Sequence, residues 1–514
     1  MENVVNFRKA GLRPLVCATA IFLLFNSSFA QNFSGGNGTY ANPYLISTAA
    51  DLAQLATLVN AGDTAYNNKQ YKLANNINLS AYGAGFNNGK GWIPIGKYNP
   101  LNNAPFKGAF EGDSNVITGL YINDTTLSGA GLFGSIEGAV RNLSVDSVNI
   151  RGGLYVGGVA GHIYGSGLWD CSSSGNIVGN QEVGGLVGRL FNGNLSNCYS
   201  SCNVSGTLDC VGGIAGWVEN VCRISNCYST GDVTGNVNVG GIAGMLSYAS
   251  TILYCYSTGN VTGNQYVGGI AGYVSGSSLI NCYSTSNITA NRFSGGILGE
   301  VTDALCAKGQ IINCVALNPS VIGNSNAGRV MGNNSSECTI NNTAYDSVLT
   351  KAGDVIWNNK ATDNLDGDDI SKEAINEDGT FDGKFKSTDG WTTQNGKLPG
   401  LFGKTVDMPP HLRMSGEVGV VEPHNYAALQ VYPNPTKRQL TIESVDMKIE
   451  RVEILDILGQ CVFTTPNPSK GGESSTSAQF PSFGGAGVVI DVSHLAAGMY
   501  FLKAGNRVAK FVKE

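Results

Sequence analysis

Cysteine recurs at a nearly constant interval through the middle of the sequence. A thiol can form a disulfide, bind a soft metal ion or pack as a small apolar group. The regular series occupies positions 171, 198, 227, 255 and 282, and Cys314 follows after a longer step. No two cysteines stand in the C-x-x-C spacing typical of zinc ligands, so the pattern does not predict a metal site.

Some of these cysteines could form disulfide bonds. The chain has 13 cysteines, and 12 remain if Cys17 is removed with a leader, an even number that is typical of disulfide-bonded exported proteins. Cysteines stacked on successive parallel strands would lie about 4.8 Å apart with parallel side chains, which is poor bridging geometry. We therefore expect the regular series to be buried thiols, and the pairs Cys202–Cys210 and Cys306–Cys314 to be the better disulfide candidates.

A tyrosine directly follows four of the regular cysteines, as Tyr199, Tyr228, Tyr256 and Tyr283. Strand alternation places the tyrosines outside if the cysteines point inside. An exposed row of rings is a possible ligand strip for sugar rings or a partner surface. The alternative is an aromatic ladder that only stabilises its own sheet.

Groups for acid–base catalysis are sparse. The four histidines are at 162, 411, 424 and 494, and only His162 lies in the region of regular cysteines. The acidic residues of that region stand singly, without a recurring column or a close pair: Asp170, Glu182, Asp209, Glu219, Asp232, Glu300 and Asp303. The acidic stretch 363–369 lacks the spacing of a calcium loop and predicts a turn leading to Ser371 as a helix N-cap. We predict no catalytic site, no cofactor and no metal.

A repeat of 27 to 28 residues must position all these side chains. The block V-G-G-aliphatic-x-G ends at Gly161, Gly188, Gly216, Gly244 and Gly272, and residues 131–134 (GLFG) and 294–299 are variants. The repeat-motif residues are Gly131, Leu132, Gly134, Gly157, Gly158, Gly161, Gly184, Gly185, Gly188, Gly212, Gly213, Gly216, Gly240, Gly241, Gly244, Gly268, Gly269 and Gly272. Such glycines permit positive φ at corners and close approach of neighbouring coils.

Short β-branched and aromatic segments between these glycines predict strands, and a unit this small cannot bury its own apolar side. We predict an all-β, β-helix-like solenoid of ~28-residue coils, with a stack of antiparallel hairpins as the alternative. Aliphatic residues three positions before each regular cysteine should form a continuous spine: Leu168, Leu195, Ile224, Ile252 and Leu279. A leucine-rich helix over 47–60 should cap the N-terminal end, and residues 391–401 should close the other.

Composition restricts the function classes. Charged residues are 14% of the chain, the net charge is −6, and Gly is 70 of 514 residues. No basic run follows the N-terminus, which argues against nucleic-acid binding. A hydrophobic share of 42% is enough for a large core.

The N-terminus has the pattern of an export signal. Basic residues precede an apolar run over 15–25, and small residues lead to a predicted cleavage between Ala30 and Gln31. No other stretch is long and apolar enough for a membrane helix, so we expect no transmembrane segment in the mature protein.

The repeat resembles the GLUG motif (Gly-Leu-x-Gly), carried here by residues 131–134 and by the GGLVG and GGIAG blocks. The resemblance covers about 31–403, including N-P-Y-L-I at 42–46 and G-K-L-P-G-L at 396–401. It implies a β-rich solenoid in secreted or surface bacterial proteins, often adhesin-like. Some relatives accompany a zinc peptidase, whose H-E-x-x-H motif does not occur in this sequence.

The C-terminal segment changes in composition and shows short alternating strands, typical of a small β-sandwich. It resembles the type A sorting domain of the type IX secretion system in four ordered motifs, at 432–435, 452–459, 491–500 and 510–513. The residues that carry the match are Tyr432, Pro433, Asn434, Pro435, Gly459, Gly498, Tyr500 and Lys510. An insert at 464–487 is longer than such loops usually are. The resemblance implies a Bacteroidota-type source, export across the outer membrane and removal of this domain.

These patterns predict six segments: a signal peptide (1–30), an N-terminal cap with first coils (31–130), the solenoid (131–345), its C-terminal cap (346–403), a linker (404–427) and the sorting domain (428–514). We expect a non-enzymatic, adhesin-like protein at the bacterial surface. Its partners would be the secretion machinery and a glycan, matrix or cell-surface ligand. The alternatives are a glycan-acting or glycan-binding enzyme on a β-helix and a structural surface-layer component.

Overall fold

A computed structural model describes residues 33–99, 103–304, 307–335 and 339–414, and parts of the C-terminal segment: 430–432, 436, 439–443, 452–456, 461–464, 488–504 and 507–513. The chain divides into two compact units, 1–415 and 416–514. The predicted signal peptide with its cleavage site at Ala30 and Gln31 lies outside the described residues. Pro433, Asn434, Pro435, Gly459 and Cys306 also lie outside them.

The first unit is a solenoid whose coils pass through four sheets, named A, B, C and D in the order in which the coil that starts at Leu154 passes through them. In the described part of the chain these sheets hold 7, 8, 11 and 16 strands. Named strands of successive coils pair in parallel, as Val183 does with Val211 in sheet A. The parallel β-helix prediction is therefore confirmed, and the antiparallel hairpin alternative is wrong.

The strands of sheet A are Leu154–Gly157, Gln181–Gly184, Asp209–Gly212, Val237–Gly240, Gln265–Gly268, Arg292–Gly295 and Ser325–Gly328. Those of sheet B are Phe133–Ile136, Ala160–Tyr164, Val187–Phe191, Ala215–Glu219, Ala243–Ser247, Ala271–Ser275, Leu298–Thr302 and Met331–Asn334. Those of sheet C are Tyr44–Ile46, Gln70–Leu73, Ala109–Glu111, Ala139–Arg141, Gly167–Trp169, Asn194–Ser196, Arg223–Ser225, Thr251–Leu253, Ser278–Ile280, Gln310–Ile312 and Thr339–Ile340. Those of sheet D are Ile77–Asn78, Val116–Thr118, Tyr121–Asn123, Ser144–Arg151, Ser172–Gly179, Tyr199–Gly206, Tyr228–Ser229, Val233–Thr234, Tyr256–Ser257, Val261–Thr262, Tyr283–Ser284, Ile288–Thr289, Val315–Ala316, Val321–Ile322, Thr343–Tyr345 and Asp368–Ile370.

The aliphatic spine lies in sheet C, where Leu168 pairs with Leu195, Leu195 with Ile224, Ile224 with Ile252 and Ile252 with Leu279. All five side chains are fully buried. Each coil therefore hides its apolar side chains beneath the next one, as the repeat predicts. With 11 described strands in this sheet and strands spaced ~4.8 Å apart, the rod is about 48 Å long.

The motif glycines are needed for close packing between coils. A Cβ on Gly241 would lie 2.1 Å from a carbonyl oxygen of the next coil and 2.2 Å from Ser257 Oγ, and one on Gly244 would lie 2.4 Å from a backbone nitrogen of the previous coil. A Cβ on Gly240 would lie 2.0 Å from the carbonyl oxygen of Ala243. None of these three glycines has a positive φ, so the expectation of left-handed glycine corners is wrong here.

Asparagine supplies the left-handed corner instead. The residue just before the regular cysteine has φ between 51° and 56° in successive coils, and it is asparagine at Asn197, Asn226 and Asn281. Asparagine tolerates this conformation better than other residues with a Cβ. Asn226 Nδ2 also donates to Asn197 Oδ1 at 3.4 Å, so the corner residues form a ladder.

The regular cysteines point into the core, at the corner between sheets C and D. Six are buried free thiols: Cys171, Cys198, Cys227, Cys255, Cys282 and Cys314. Burial also raises the pKa of Cys202 and Cys210, two thiols outside the regular series. Both are free, so the Cys202–Cys210 disulfide candidate is wrong, and the free thiol of Cys314 excludes its bridge to Cys306 in this structure.

The N-terminal helix spans Ala49–Asn60 and begins with a capping box of Thr48 and Asp51. Its predicted apolar face is buried, as Leu52, Leu55, Leu58 and Val59 show. These side chains belong to the same apolar core as the coils.

The segment after the last coil covers sheet D along its side, which the prediction of an end cap did not anticipate. It contains the helix Lys372–Glu377 and the antiparallel strands Lys397–Leu398 and Val406–Asp407. Trp391 lies against Tyr256 and Tyr283, three coils before the end, with ring centroids 6.3 and 5.8 Å apart. We call residues 371–412 the side cover.

The predicted linker, 404–427, begins too early. Met408 and Leu412 are buried, and Val406–Asp407 forms a strand pair within the side cover. Residues 404–412 therefore belong to the solenoid unit, because their apolar side chains complete the contact with the rod.

Residues 363–367 form the predicted turn, Asp368–Ile370 continues as a strand of sheet D, and this segment encloses a buried arginine. Arg329 is fully buried and donates to the carbonyl oxygens of Asp366 and Gly367 at 3.0 Å and to Asp369 Oδ1 at 2.6 Å. Ser371 then caps the next helix, as predicted.

The C-terminal unit contains two antiparallel sheets around one small core. One sheet joins Gln430–Tyr432, Gln439–Glu443 and Val488–Asp491, and the other joins Cys461–Thr464, Val452–Leu455, Gly498–Ala504 and Arg507–Lys513. Gly498 and Lys510 lie in the second sheet, and the ring of Tyr500 packs on Phe511. This arrangement agrees with the predicted β-sandwich.

Replacement of a motif glycine should destabilise the solenoid. Gly241→Ala places a methyl group against fixed backbone of the next coil, and overpacking of this kind typically costs about 1–3 kcal/mol. Gly85→Ala is the matched control, since no atom lies within 4 Å of its added Cβ. We expect a lower thermal unfolding midpoint for Gly241→Ala alone, and equal midpoints for the two variants would contradict this account of the motif.

The buried thiols should resist alkylation. Native protein is treated with iodoacetamide and digested for mass spectrometry. The five regular cysteines and Cys314 should be unmodified in it, whereas they should be modified in protein that was unfolded in urea. Exposure to solvent is the physical difference between the two states. Detection of a peptide joined through Cys202 and Cys210 would contradict the free thiols of this structure.

Candidate functional site

The predicted tyrosine strip is a stacked ladder that is only partly exposed. Neighbouring rings of Tyr199, Tyr228, Tyr256 and Tyr283 are 4.8–5.1 Å apart and nearly parallel. Tyr199 is 37% exposed, but Tyr256 is 5% and Tyr283 is 0% exposed because the side cover lies over them. All four rings lie on the outside of the rod, as alternation predicts, but the side cover buries Tyr256 and Tyr283, so the four rings do not form an exposed ligand strip.

The Tyr283 hydroxyl also has an internal partner, since it donates to the carbonyl oxygen of Pro399 at 2.6 Å. Phe402 of the side cover packs near Tyr199 and Tyr228, with ring centroids 6.4 and 5.8 Å apart. The ladder thus anchors the side cover, and only its Tyr199 end remains open for a ligand.

Sheet B presents a different surface, with two columns of outward side chains. One column holds Ser135, His162, Arg189, Trp217, Met245, Tyr273, Glu300 and Asn333. The other includes Tyr164, Phe191 and Glu219, which stand in register two residues further along each strand. Unlike the inward positions, these columns change residue type from coil to coil. We call this surface the sheet B wall.

Arg189 is the centre of a cluster on this wall. Its Nη2 donates to Glu219 Oε2 at 2.5 Å, and its Nε lies 3.7 Å from Glu182 Oε2. Its guanidinium carbon lies 4.4 Å from the ring centroid of Trp217 and 5.7 Å from that of Tyr155. One cation is therefore shared by two carboxylates and held between two aromatic rings.

His162 lies beside this cluster, at the floor of a cavity of about 370 Å³. The cavity is lined by Tyr98, Asn103, Glu137, His162, Tyr164, Arg189 and Phe191. The imidazole is 7% exposed and packs against Tyr98 and Tyr155, with ring centroids 4.9 and 5.8 Å away. Its Nδ1 has no hydrogen-bond partner.

Burial controls the charges of this site. It raises the pKa of the Glu182 carboxyl to about 7, with the Glu219 charge adding to the rise and Arg189 opposing it. Burial and the Arg189 charge lower the pKa of His162 to about 4. At neutral pH His162 is therefore uncharged, and Glu182 changes its charge around neutrality.

This grouping is not visible in the sequence. Glu182, Glu219 and His162 stand singly there, and 37 positions separate the two glutamates in the chain. The solenoid brings Glu182 of sheet A and Glu219 of sheet B to the same arginine. Alignment of the coils to one another would have shown His162, Arg189 and Trp217 in a single column.

Among the described residues no three metal-ligating side chains come together, and no helix is long and apolar enough to cross a membrane.

Two families match parts of the chain. Residues 430–514 match the secretion system C-terminal sorting domain, and residues 179–205, 208–234 and 263–289 match the GLUG motif. The chain therefore carries both features that its sequence predicts. The sorting domain indicates export through the type IX secretion system to the cell surface or the medium.

Two curated relatives each match a part of the chain. A "Putative Gly-rich membrane protein" of Evansella cellulosilytica is 35% identical over 31% of this chain and 18% of its own length. Halomucin of Haloquadratum walsbyi is 36% identical over 24% of this chain and 1% of its own length. The chain thus spans less than a fifth of either relative.

A solved structure described as "a putative immunoglobulin A1 protease from Bacteroides ovatus" is similar to 72% of this chain and 96% of its own. The sequence identity is 21% and the TM-score is 0.41.

The raised pKa of Glu182 predicts a pH-dependent effect of removing its charge. The folded-state pKa of about 7 lies above the ordinary 4.5, so ionisation of Glu182 disfavours the folded state increasingly from pH 4.5 to 7 and fully above pH 7. Glu182→Gln should therefore raise the thermal unfolding midpoint more at pH 8 than at pH 4.5, while Arg189 keeps Glu219 as its partner.

The exposed carboxylate Glu377 provides a control for the loss of one negative charge. Glu377→Gln should shift the midpoint by similar amounts at the two pH values. A pH-independent effect of Glu182→Gln would contradict the burial of an ionisable carboxyl at this position.

Proposed function

We propose that this chain, a GLUG-motif β-solenoid with a type IX sorting domain, is an adhesin-like protein displayed at the bacterial surface. Residues 1–30 would direct the first export step and be removed after Ala30. The C-terminal domain would engage the type IX machinery for the second. The rod would then bind a glycan, a matrix component or another cell.

The sheet B wall is the observation that carries this proposal. It combines exposed rings with charged side chains and a cavity, on a rigid scaffold held by backbone pairing. Ligand sites typically join apolar or aromatic lining with a few polar groups, and rigid elements position them well. The sorting domain explains how such a surface would meet ligands outside the cell.

A glycan-acting enzyme is the second candidate, and a specific observation favours it. Glu182 and Glu219 approach one another through Arg189, and the two have different environments, as a general acid and its partner carboxylate require. The adhesin proposal is preferred because Arg189 pairs with both carboxylates, which suits a fixed binding surface better than proton transfer.

The purified protein should bind at least one component of an array of glycans, extracellular matrix proteins and whole cells. Because the wall is the proposed surface, Trp217→Ala should weaken that binding, whereas Tyr199→Ala, at the open end of the tyrosine ladder, should retain it. Binding can be measured by surface plasmon resonance with each hit immobilised.

Two results would overturn the proposal. Absence of binding together with hydrolysis of a sugar polymer would identify an enzyme. Assembly of the protein into regular sheets or filaments without binding to the array would identify a structural surface component.

A further inference from the structure

The cavity on the sheet B wall has the dimensions and lining of a small-molecule site. Its volume of about 370 Å³ falls in the range of ~300–1,000 Å³ typical of ligand pockets. Three of its lining residues are aromatic, and four carry polar groups of different kinds: an amide, a carboxylate, an imidazole and a guanidinium.

One wall of the cavity is an aromatic ladder that stops after two members. Tyr164 and Phe191 stack with their ring centroids 5.2 Å apart and an angle of 3° between their planes. The same column holds Glu137 one coil earlier, because Glu137 follows Ile136 and Ile136 pairs with Ile163. No ring therefore continues the ladder at that coil, and Tyr164 is 49% exposed.

His162 also lines the cavity, although only 7% of its surface is exposed. Its Nδ1 is buried without a hydrogen bond and has almost no accessible surface. A ligand in the cavity would therefore reach the imidazole through its exposed edge. The neutral imidazole can donate or accept there, depending on its tautomer.

The charges around the cavity disfavour an ionic ligand. Arg189 is paired with Glu182 and Glu219, and Glu137 is paired with Lys107 at 3.0 Å. An anion would find no unpaired cation among the lining groups, and the two glutamates that share Arg189 do not line the cavity, so a cation would not meet them there. A hydroxyl group, which both donates and accepts, suits His162, Glu137 and the amide of Asn103 equally well.

We propose that this cavity binds one pyranose ring of a glycan, stacked on Tyr164 as the next member of the ladder, with hydroxyl groups bonded to His162 and Glu137. The ring of a pyranose has an apolar C–H face and a polar rim, which matches an aromatic wall beside polar side chains. This inference rests on the proposed adhesin function and assigns its ligand class and site.

The test measures binding by isothermal titration calorimetry. The full-length purified protein is titrated with a panel of methyl pyranosides in the gluco, galacto and manno series. At least one should bind, and Tyr164→Ala should weaken its binding at least tenfold, which corresponds to about 1.4 kcal/mol. Tyr164→Phe keeps the ring and should bind within twofold of the original protein. Tyr248→Ala, which removes a 57% exposed tyrosine outside the cavity lining, is the matched control and should have no effect.

His162→Phe keeps a ring of similar shape without the polar atoms and should also weaken pyranoside binding. The thermal unfolding midpoint of each variant is measured as well, because an unchanged midpoint shows that weaker binding does not come from misfolding. If no pyranoside binds, or if Tyr164→Ala binds as tightly as the original protein, the inference is wrong. The adhesin proposal itself would still stand if the unmodified protein binds matrix proteins or cells on the array, and would fail with it if nothing binds.

Discussion

Direct backbone contact between successive coils is the constraint on which this structure depends. From Leu154 to Gly328 successive coils pair in parallel in all four sheets, and inward side chains such as Leu168 and Leu195 rest on one another. At the glycine positions of the turn between sheets A and B, a spacing of ~4.8 Å leaves no room for a side chain. The motif glycines meet this condition by close approach, since an added Cβ on Gly241 would touch the next coil.

Stacking in register also restricts what the outer surface can carry. A residue that repeats from coil to coil faces a copy of itself, and identical charges placed opposite one another destabilise a sheet. The repeated outer positions are accordingly neutral, such as the stacked rings of Tyr199 and Tyr228 and the hydrogen-bonded amides of Asn197 and Asn226. Charged residues occur singly, and this agrees with a charged share of only 14%.

The candidate site lies where the repeat is least regular. Inward positions keep their residue type because each must fill the same space, whereas the outward column with His162, Arg189 and Trp217 differs at every coil. Arg189 compensates Glu182 of its own coil and Glu219 of the next coil. A rigid repetitive scaffold thus holds a non-repetitive group of side chains, which is the arrangement that a specific binding surface requires.

The repeat, the spine from Leu168 to Leu279 and the sorting domain can be predicted from the sequence, because each depends on a periodic or local pattern. The choice of parallel coils over antiparallel hairpins, and the contacts between distant segments, follow only from the fold. The fold-back of residues 371–412 along sheet D buries Tyr256 and Tyr283, and no local pattern specifies which face a returning segment covers. The meeting of Glu182, Arg189 and Glu219 likewise depends on how far each coil advances and which way each strand faces, so single acids in the sequence become one site only when the coils are stacked.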